Sequence, residues 1–146
     1  MRRRLLWLVA LLACAEAATG PSTWVEEGSP ATRDGLLHES VGIEVGGGEV
    51  TAILRAPCPL PCEERVSFGT AEDDQREILI YVFRGNARTT LESHALGAYE
   101  IAGLPAARAG SIEVFVTFRA APQGISLHAD PIPGVSFELR PATPEF

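Results

Sequence analysis

The sequence predicts an all-β protein, an antiparallel sandwich or barrel built from short strands. Two observations favour this fold class. Apolar and polar residues alternate in short segments spaced about ten residues apart, which is the period of half-buried strands joined by turns. In addition, 14 glycines and 11 prolines are spread over the 146 residues, so many turns and few long helices are expected.

The predicted strands begin at Ser40 and follow one another to the C-terminal region. They are defined by alternating or continuous apolar positions at 41–45, 49–55, 65–68, 78–83, 99–101, 112–118, 125–127 and 135–139. Residues 78–83 are six consecutive apolar residues, which is typical of a strand buried on both faces. Residues 89–96 are the only segment expected to form a short helical turn.

The N-terminal residues have the pattern of a secretory signal peptide over residues 1–17. Three arginines precede the apolar run Leu5–Ala13, and small residues follow it. The apolar run is too short to cross a bilayer, which needs about 20 residues. Two processing routes stay open. Ala15-Glu16-Ala17 fits cleavage before Ala18, whereas Leu11-Leu12-Ala13-Cys14 fits a bacterial lipobox with a lipid on Cys14. A buried apolar helix is the structural alternative.

Composition separates the remaining chain into a linker over residues 18–38, a β domain over 39–141 and a tail over 142–146. The formal charge of −7 argues against a nucleic-acid partner, because such proteins usually present a basic face. All 12 basic residues are arginine, so no lysine is present for a Schiff base or a phosphate loop.

Cys58 and Cys62 remain once Cys14 is assigned to the signal region. An even count suits an oxidising compartment, and we expect a disulfide in which the Pro-rich segment folds back as a turn. Free thiols are the alternative. A metal site is disfavoured, because the cysteines lack a second ligand pair and His38, His94 and His128 show no ligand spacing.

No residues form a candidate catalytic set, and the protein is not expected to be an enzyme. The G-x-S-x-G pattern of a nucleophile elbow is missing from the sequence. Asp73-Asp74 with Glu72 could bind calcium, but no EF-hand spacing surrounds them, and a solvated loop is the expected structure. Gly46-Gly47-Gly48 lacks the lysine of a phosphate loop and is interpreted as a flexible turn. No cofactor or metal is implied.

Seven stretches in order resemble one family, the β-sandwich substrate-binding subdomain of the seventy-kilodalton heat-shock chaperones of the DnaK type. The stretches are Val41-Gly-Ile-Glu-Val-Gly-Gly-Gly, Phe68-Gly-Thr-Ala-Glu-Asp-Asp-Gln75, Ile78-Leu-Ile-Tyr-Val-Phe-Arg-Gly85, Leu96-Gly97, Gly103-Leu-Pro, Val116-Thr-Phe118 and Gly124-Ile125. The resemblance covers residues 40–129.

The resemblance implies an eight-stranded sandwich that clasps an extended, apolar peptide between its loops. An apolar pocket for one peptide side chain is implied for Val41, Ile43, Phe68, Ile78, Ile80 and Val114. Val45, Gly69 and Gln75 match positions that meet the peptide backbone, and Gly46 and Ala71 match the two residues that arch over it. The structural alternative is that the alternating Val and Ile residues are ordinary core.

The sequence departs from the family pattern in ways that affect function. It has no counterpart of the family's ATPase domain or helical lid, and Gly46 stands where the arch usually carries a bulky side chain. We therefore expect a chaperone-like module that binds unfolded apolar segments without ATP. We expect it in the bacterial periplasm or attached to a membrane through a lipid on Cys14. Both locations are favoured over secretion from the cell. The alternative is a non-enzymatic interaction domain of the cell envelope with a closed pocket.

Overall fold

A computed structural model describes residues 20–143 of the chain. Within this range it contains twelve strands and one 3-10 helix, Thr90–Glu92. The strands are β1 Ser22–Glu27, β2 Thr32–Arg33, β3 Leu36–Leu37, β4 Val41–Glu44, β5 Val50–Leu54, β6 Cys58–Pro59, β7 Cys62–Gly69, β8 Glu77–Arg84, β9 His94–Ala102, β10 Glu113–Ala121, β11 Gly124–Ala129 and β12 Glu138–Ala142. The predicted signal peptide, including Cys14, lies outside the described residues.

The strands form two main antiparallel sheets and one small one. The first sheet has the order β1-β11-β10-β7, and the second has the order β12-β9-β8-β4-β5. The two-residue strands β2, β3 and β6 form the third sheet. The all-β, antiparallel prediction is confirmed, but the described residues contain twelve strands where the resemblance implied eight. No helix among the described residues is long and apolar enough to cross a membrane.

The core lies between the inner faces of the two main sheets, where alternate residues of each strand meet. In β10, Val114, Val116, Phe118 and Ala120 are fully buried, whereas Glu113 and Arg119 on the other face are exposed. This alternation places half of each strand in contact with the facing sheet. Other core members are Leu54, Ile80, Val82, Ile101, Leu104, Ile125, Leu127 and Leu139.

The prediction that residues 78–83 of β8 are buried on both faces is wrong. Ile78, Ile80 and Val82 point into the core, but Leu79 on the opposite face is 47% exposed. The reason is that the outer face of the five-stranded sheet is open to solvent at this position. The alternation changes only near the strand end, where a pairing irregularity between Val82 and Phe83 allows both to be buried.

The segment predicted as a linker contains three strands. β1 pairs with β11 from Ser22↔His128 to Glu27↔Gly124, so it is the edge strand of the first sheet. Its close approach requires glycine at position 124, because a Cβ there would lie 2.2 Å from the Glu26 carbonyl oxygen. The buried Tyr99 hydroxyl also donates to the Val25 carbonyl at 3.3 Å. β1 is thus part of the sandwich.

An ion cluster around Arg84 joins β1 to the second sheet. The Arg84 guanidinium donates to both carboxylate oxygens of Glu26, at 3.0 and 3.1 Å, and to Glu39 at 2.6 Å. Its side chain is only 10% exposed. Burial acts against the charge, but the hydrogen bonds that Arg84 donates to Glu26 and Glu39, together with the negative charges of these two residues, outweigh it and raise the pKa of Arg84. Arg84 therefore stays charged within this cluster.

The predicted disulfide between Cys58 and Cys62 is confirmed. The two Cα atoms are 6.3 Å apart, and the bridge closes the turn between β6 and β7. Cys58 also pairs with the fully buried Leu37 of β3. The bridge therefore fixes the small sheet against the start of the long strand β7.

Replacing Arg84 by alanine should lower the free energy of unfolding by about 3 kcal/mol, the lower end of the cost of breaking a buried ion pair. The physical reason is that Glu26 would stay partly buried without its cation. Chemical denaturation followed by circular dichroism measures the loss. Arg119→Ala is the control, because the side chains of Arg119 and of its partner Glu63 are both exposed, at 48% and 61%. Its stability should hardly change, and equal losses in both variants would contradict this account.

Reduction of the disulfide should lower the melting temperature slightly and leave the domain folded. The closed loop has a sequence separation of 4. Its entropic contribution should therefore fall below the roughly 3 kcal/mol expected for a 15-residue loop. Scanning calorimetry with and without reductant measures the change, and the Cys58→Ser/Cys62→Ser variant should reproduce it. Unfolding on reduction would contradict the prediction.

Candidate functional site

Three loops meet at one end of the sandwich. β4 pairs with β8 in an antiparallel arrangement, with Ile43 opposite Val82, so residues 45–49 lie beside the start of β8. Residues 70–76 lead directly into β8. Residues 103–112 leave β9 next to the first residue of β8, because Ala102 pairs with Glu77. Most of the sequence-predicted site residues lie at this loop end or on the strands that lead to it, whereas Val41 pairs with Arg84 at the other end of β8.

The apolar residues predicted for the pocket lie on the inner faces of the strands that lead to the loop end. Val41 and Val114 are fully buried, and Ile80 is 3% exposed. Ile43 and Ile78 each keep 8% exposure. Phe68, half-buried, pairs with Val114 across β7 and β10, and its ring centroid is 6.4 Å from that of Phe118. All six residues belong to or pack against the same core cluster.

The first loop, residues 45–49, is a tight glycine turn. Gly46, Gly47 and Gly48 have φ values of 114°, 63° and 77°, which side chains disfavour. The Gly48 N–H donates to the Glu44 carboxylate at 3.2 Å, and the Gly48 carbonyl accepts from Thr90 at 2.9 Å. No atom beyond the chain neighbours lies within 4 Å of a Cβ built on Gly46. Gly46, at the arch position, is thus exposed, with open space where a side chain would extend.

The second loop, residues 70–76, is organised by Gln75. Its side-chain oxygen accepts from the Ala71 N–H at 2.8 Å and from the Glu72 N–H at 3.2 Å. Its side-chain nitrogen donates to the Glu77 carbonyl at 2.7 Å. The Gln75 amide therefore holds the loop that presents Ala71. This is a positioning role beside the peptide contact that the resemblance implies.

The third loop fastens the second one. The Asp73 carboxylate accepts from the Ala109 N–H at 2.8 Å, and the Asp74 N–H donates to the Ala107 carbonyl at 2.7 Å. The buried Thr70 also accepts from Gly110 at 2.8 Å. Asp73 is thus a loop anchor, a role that sequence reasoning missed because its partner is 36 residues away. The described residues contain no cluster of three or more metal-ligating side chains.

A shallow hollow of about 380 Å³ lies beside the second loop. It is lined by Ala71, Glu72, Gln75, Glu77 and Leu79. A hydrogen bond shared with Glu100, together with the like charge of that residue, raises the pKa of Glu77. The same hydrogen bond and the Arg140 guanidinium lower the pKa of Glu100. Leu79 was not predicted as a site residue, because residues 78–83 were predicted to be buried on both faces of their strand.

The architecture is that of a β-sandwich whose connecting loops surround an apolar end of the core. Comparison with known proteins identifies its family. Residues 30–130 match the family model described as Hsp70 protein. The chain belongs to the Hsp70 family, and the matched residues correspond to the β-sandwich substrate-binding region, as the sequence predicted.

The curated relatives are themselves named as heat-shock proteins. Heat shock 70 kDa protein 2 of Paracoccidioides lutzii is 36% identical over 101 residues, covering 66% of this chain and 15% of the relative. The heat shock 70 kDa protein of Trichophyton rubrum is 35% identical over 101 residues, with the same coverage. Heat shock cognate 70 kDa protein 3 of Dictyostelium discoideum is 35% identical over 86 residues, covering 59% of this chain and 14% of the relative. The chain thus spans a small fraction of these relatives.

Replacing Gln75 by alanine should loosen the second loop without unfolding the sandwich. The Ala71 and Glu72 amides lose their shared acceptor, so their hydrogen exchange should accelerate. Amide exchange followed by nuclear magnetic resonance measures this. Amides of β10, such as that of Val116, are the internal control and should keep their protection. Unchanged exchange at Ala71 would contradict the positioning role of Gln75.

Proposed function

We propose that residues 39–141 form a chaperone-like module that binds extended apolar segments of unfolded proteins without ATP. The observation that carries the proposal is the position of Ile43 and Ile78 at the loop end, in a chain of the Hsp70 family. Both belong to the core, yet each keeps 8% exposure, whereas Val41 and Val114 are fully buried. A peptide side chain would reach the core at this end.

The proposed binding is driven by burial of one apolar peptide side chain, which contributes roughly 1.5–3 kcal/mol for a leucine. Backbone pairing along the loops adds affinity that tolerates many peptide sequences. Gly46 contributes no side chain to the arch, and open space surrounds it. The affinity should therefore be modest, and release should follow the module's own dissociation rate.

A second candidate function is supported by the burial of the pocket residues. In the structure, the inner side chains at the loop end pack against each other, so Ile43, Ile78 and Ile80 are at most 8% exposed. A pocket that stays closed in this way would suit a non-enzymatic interaction domain of the cell envelope. The two functions differ in one property, whether the loops admit a peptide side chain.

We further propose export of the chain, to the bacterial periplasm or to a membrane through a lipid on Cys14. The support is the signal-like pattern of residues 1–17 together with the Cys58–Cys62 disulfide, since disulfides persist in oxidising compartments. The proposed partners are therefore unfolded or extended segments of envelope proteins.

Replacing Ile78 by tryptophan should abolish binding of labelled leucine-rich peptides, because the larger side chain fills the proposed pocket. Fluorescence anisotropy with wild-type and variant protein measures this, with and without ATP, which should change neither result. Leu91→Trp is the control, because Leu91 is 96% exposed and a tryptophan there leaves the core unchanged.

The stability of the Ile78→Trp variant distinguishes the two proposed functions. If position 78 is purely core, the tryptophan should cost about 1–3 kcal/mol by overpacking, and no binding would be lost because none exists. If the site admits a peptide, stability should be nearly unchanged. No anisotropy change for wild-type protein up to about millimolar concentration, where binding is worth only about 4 kcal/mol, would overturn the proposal in favour of the interaction domain.

A further inference from the structure

A second groove lies along the edge of the five-stranded sheet, between β5 and the loop that follows β8. Its volume is about 500 Å³, within the usual range of ligand sites. One wall is the outer edge of β5, the terminal strand of its sheet, and the other wall is formed by residues 85–88. None of the six apolar residues predicted for the pocket lines this groove.

Hydrogen bonds to residues 85–88 close both ends of the groove. The Gly85 N–H donates to the Ser40 carbonyl at 2.9 Å, and the Ser40 N–H donates to the Asn86 side chain at 3.2 Å. At the other end of the groove, the Val50 N–H donates to the Arg88 carbonyl at 2.8 Å. A groove held in this way is preorganised, which reduces the entropic cost of binding.

The Val50 bond also shows which backbone groups of β5 face the groove. Val50 directs its N–H away from β4, and strand residues two apart present their backbone groups on the same side. Ala52, which pairs with Gly42, therefore directs its N–H and carbonyl into the groove as well. An extended chain placed there could pair with β5 at Ala52, between the hydrogen bonds at the two ends of the groove.

The charge of the groove is opposite to that of the whole chain. Arg55 and Arg88 both line it, and both are exposed. In the part of the chain that the structure describes, neither guanidinium has an ion-pair or hydrogen-bond partner. Glu49 also lines the groove, which leaves one excess positive charge in a chain of net charge −7. Guanidinium groups bind carboxylates with two parallel hydrogen bonds.

We propose that this groove binds an extended peptide segment that carries carboxylate side chains. The peptide backbone pairs with the edge of β5 at Ala52, and its carboxylates pair with Arg55 and Arg88. The site is separate from the apolar one, so it does not depend on the function proposed above. It would let the module hold an acidic partner segment while the loop end stays free.

Anisotropy of a labelled octapeptide of alternating valine and glutamate tests the proposal. The Arg55→Glu/Arg88→Glu variant should weaken binding roughly tenfold or more, because each exposed ion pair contributes up to about fivefold. Arg33→Glu/Arg119→Glu is the matched control, since it makes the same charge change at exposed arginines outside the groove and outside the three loops. It should leave the affinity within about twofold. Equal losses of peptide affinity in the two variants would show that only the overall charge of the protein matters, and this would overturn the proposed site.

Two further arms test the backbone and the carboxylates. Ala52→Pro removes the N–H at the strand edge, where proline is tolerated, and should weaken binding while the circular dichroism spectrum is kept. A glutamine version of the peptide should bind far more weakly, and free glutamate should not compete. Equal binding of the glutamine peptide, or full competition by free glutamate, would overturn the proposal. Loss of binding in Ile78→Trp would place the peptide at the apolar site and overturn it as well.

Discussion

The packing of two sheets through alternate residues governs both the stability of this molecule and its candidate site. Every strand has only one inward face, so the side chains that fill the core must also form whatever apolar surface the loop end offers. Ile43 and Ile78 show this double constraint, since they are core residues by burial and site residues by position. A substitution that changes the site therefore changes the packing, and function can be separated from stability only when both are measured.

The loops at the end of the sandwich are held by hydrogen bonds rather than by packing in the core. Residues 70–76 are held by the Gln75 amide from within and by Asp73 and Asp74 from the neighbouring loop. Residues 45–49 are held by Glu44 and by the 3-10 helix. These are hydrogen bonds between exposed or half-buried groups, whose net contribution is about 1 kcal/mol each. Such loops can open at far lower cost than the strands can separate, which suits a site that must admit a peptide.

Alternation made most of the strands from β4 to β12 predictable, because a period of two is visible in residues such as Val114, Val116 and Phe118. Strand β6 was not predicted, because its segment was interpreted as a turn, and β9 begins at His94, inside the segment 89–96 that was expected to form a helical turn. The disulfide was predictable from the even cysteine count. Strand β1 was not, because its residues have no clear alternation and its place depends on Gly124, far along the chain. The Arg84 cluster was also hidden, since its partners Glu26 and Glu39 lie 58 and 45 residues away. Interactions set by tertiary distance leave no local pattern in a sequence.

The two edges of the five-stranded sheet are not equivalent, and this bears on self-association. β5 keeps a free edge at Ala52, between the hydrogen bonds that close its groove, whereas β12 contains Pro141, opposite Tyr99, and so lacks one backbone donor. Proline on an edge strand blocks the addition of a further strand. Joining β5 of one copy to β12 of the next would build an open-ended fibre, since a contact between two different surfaces does not close on itself. Pro141 disfavours that contact. At the edges of the five-stranded sheet this leaves a contact of β5 with β5, which is symmetric and stops at two.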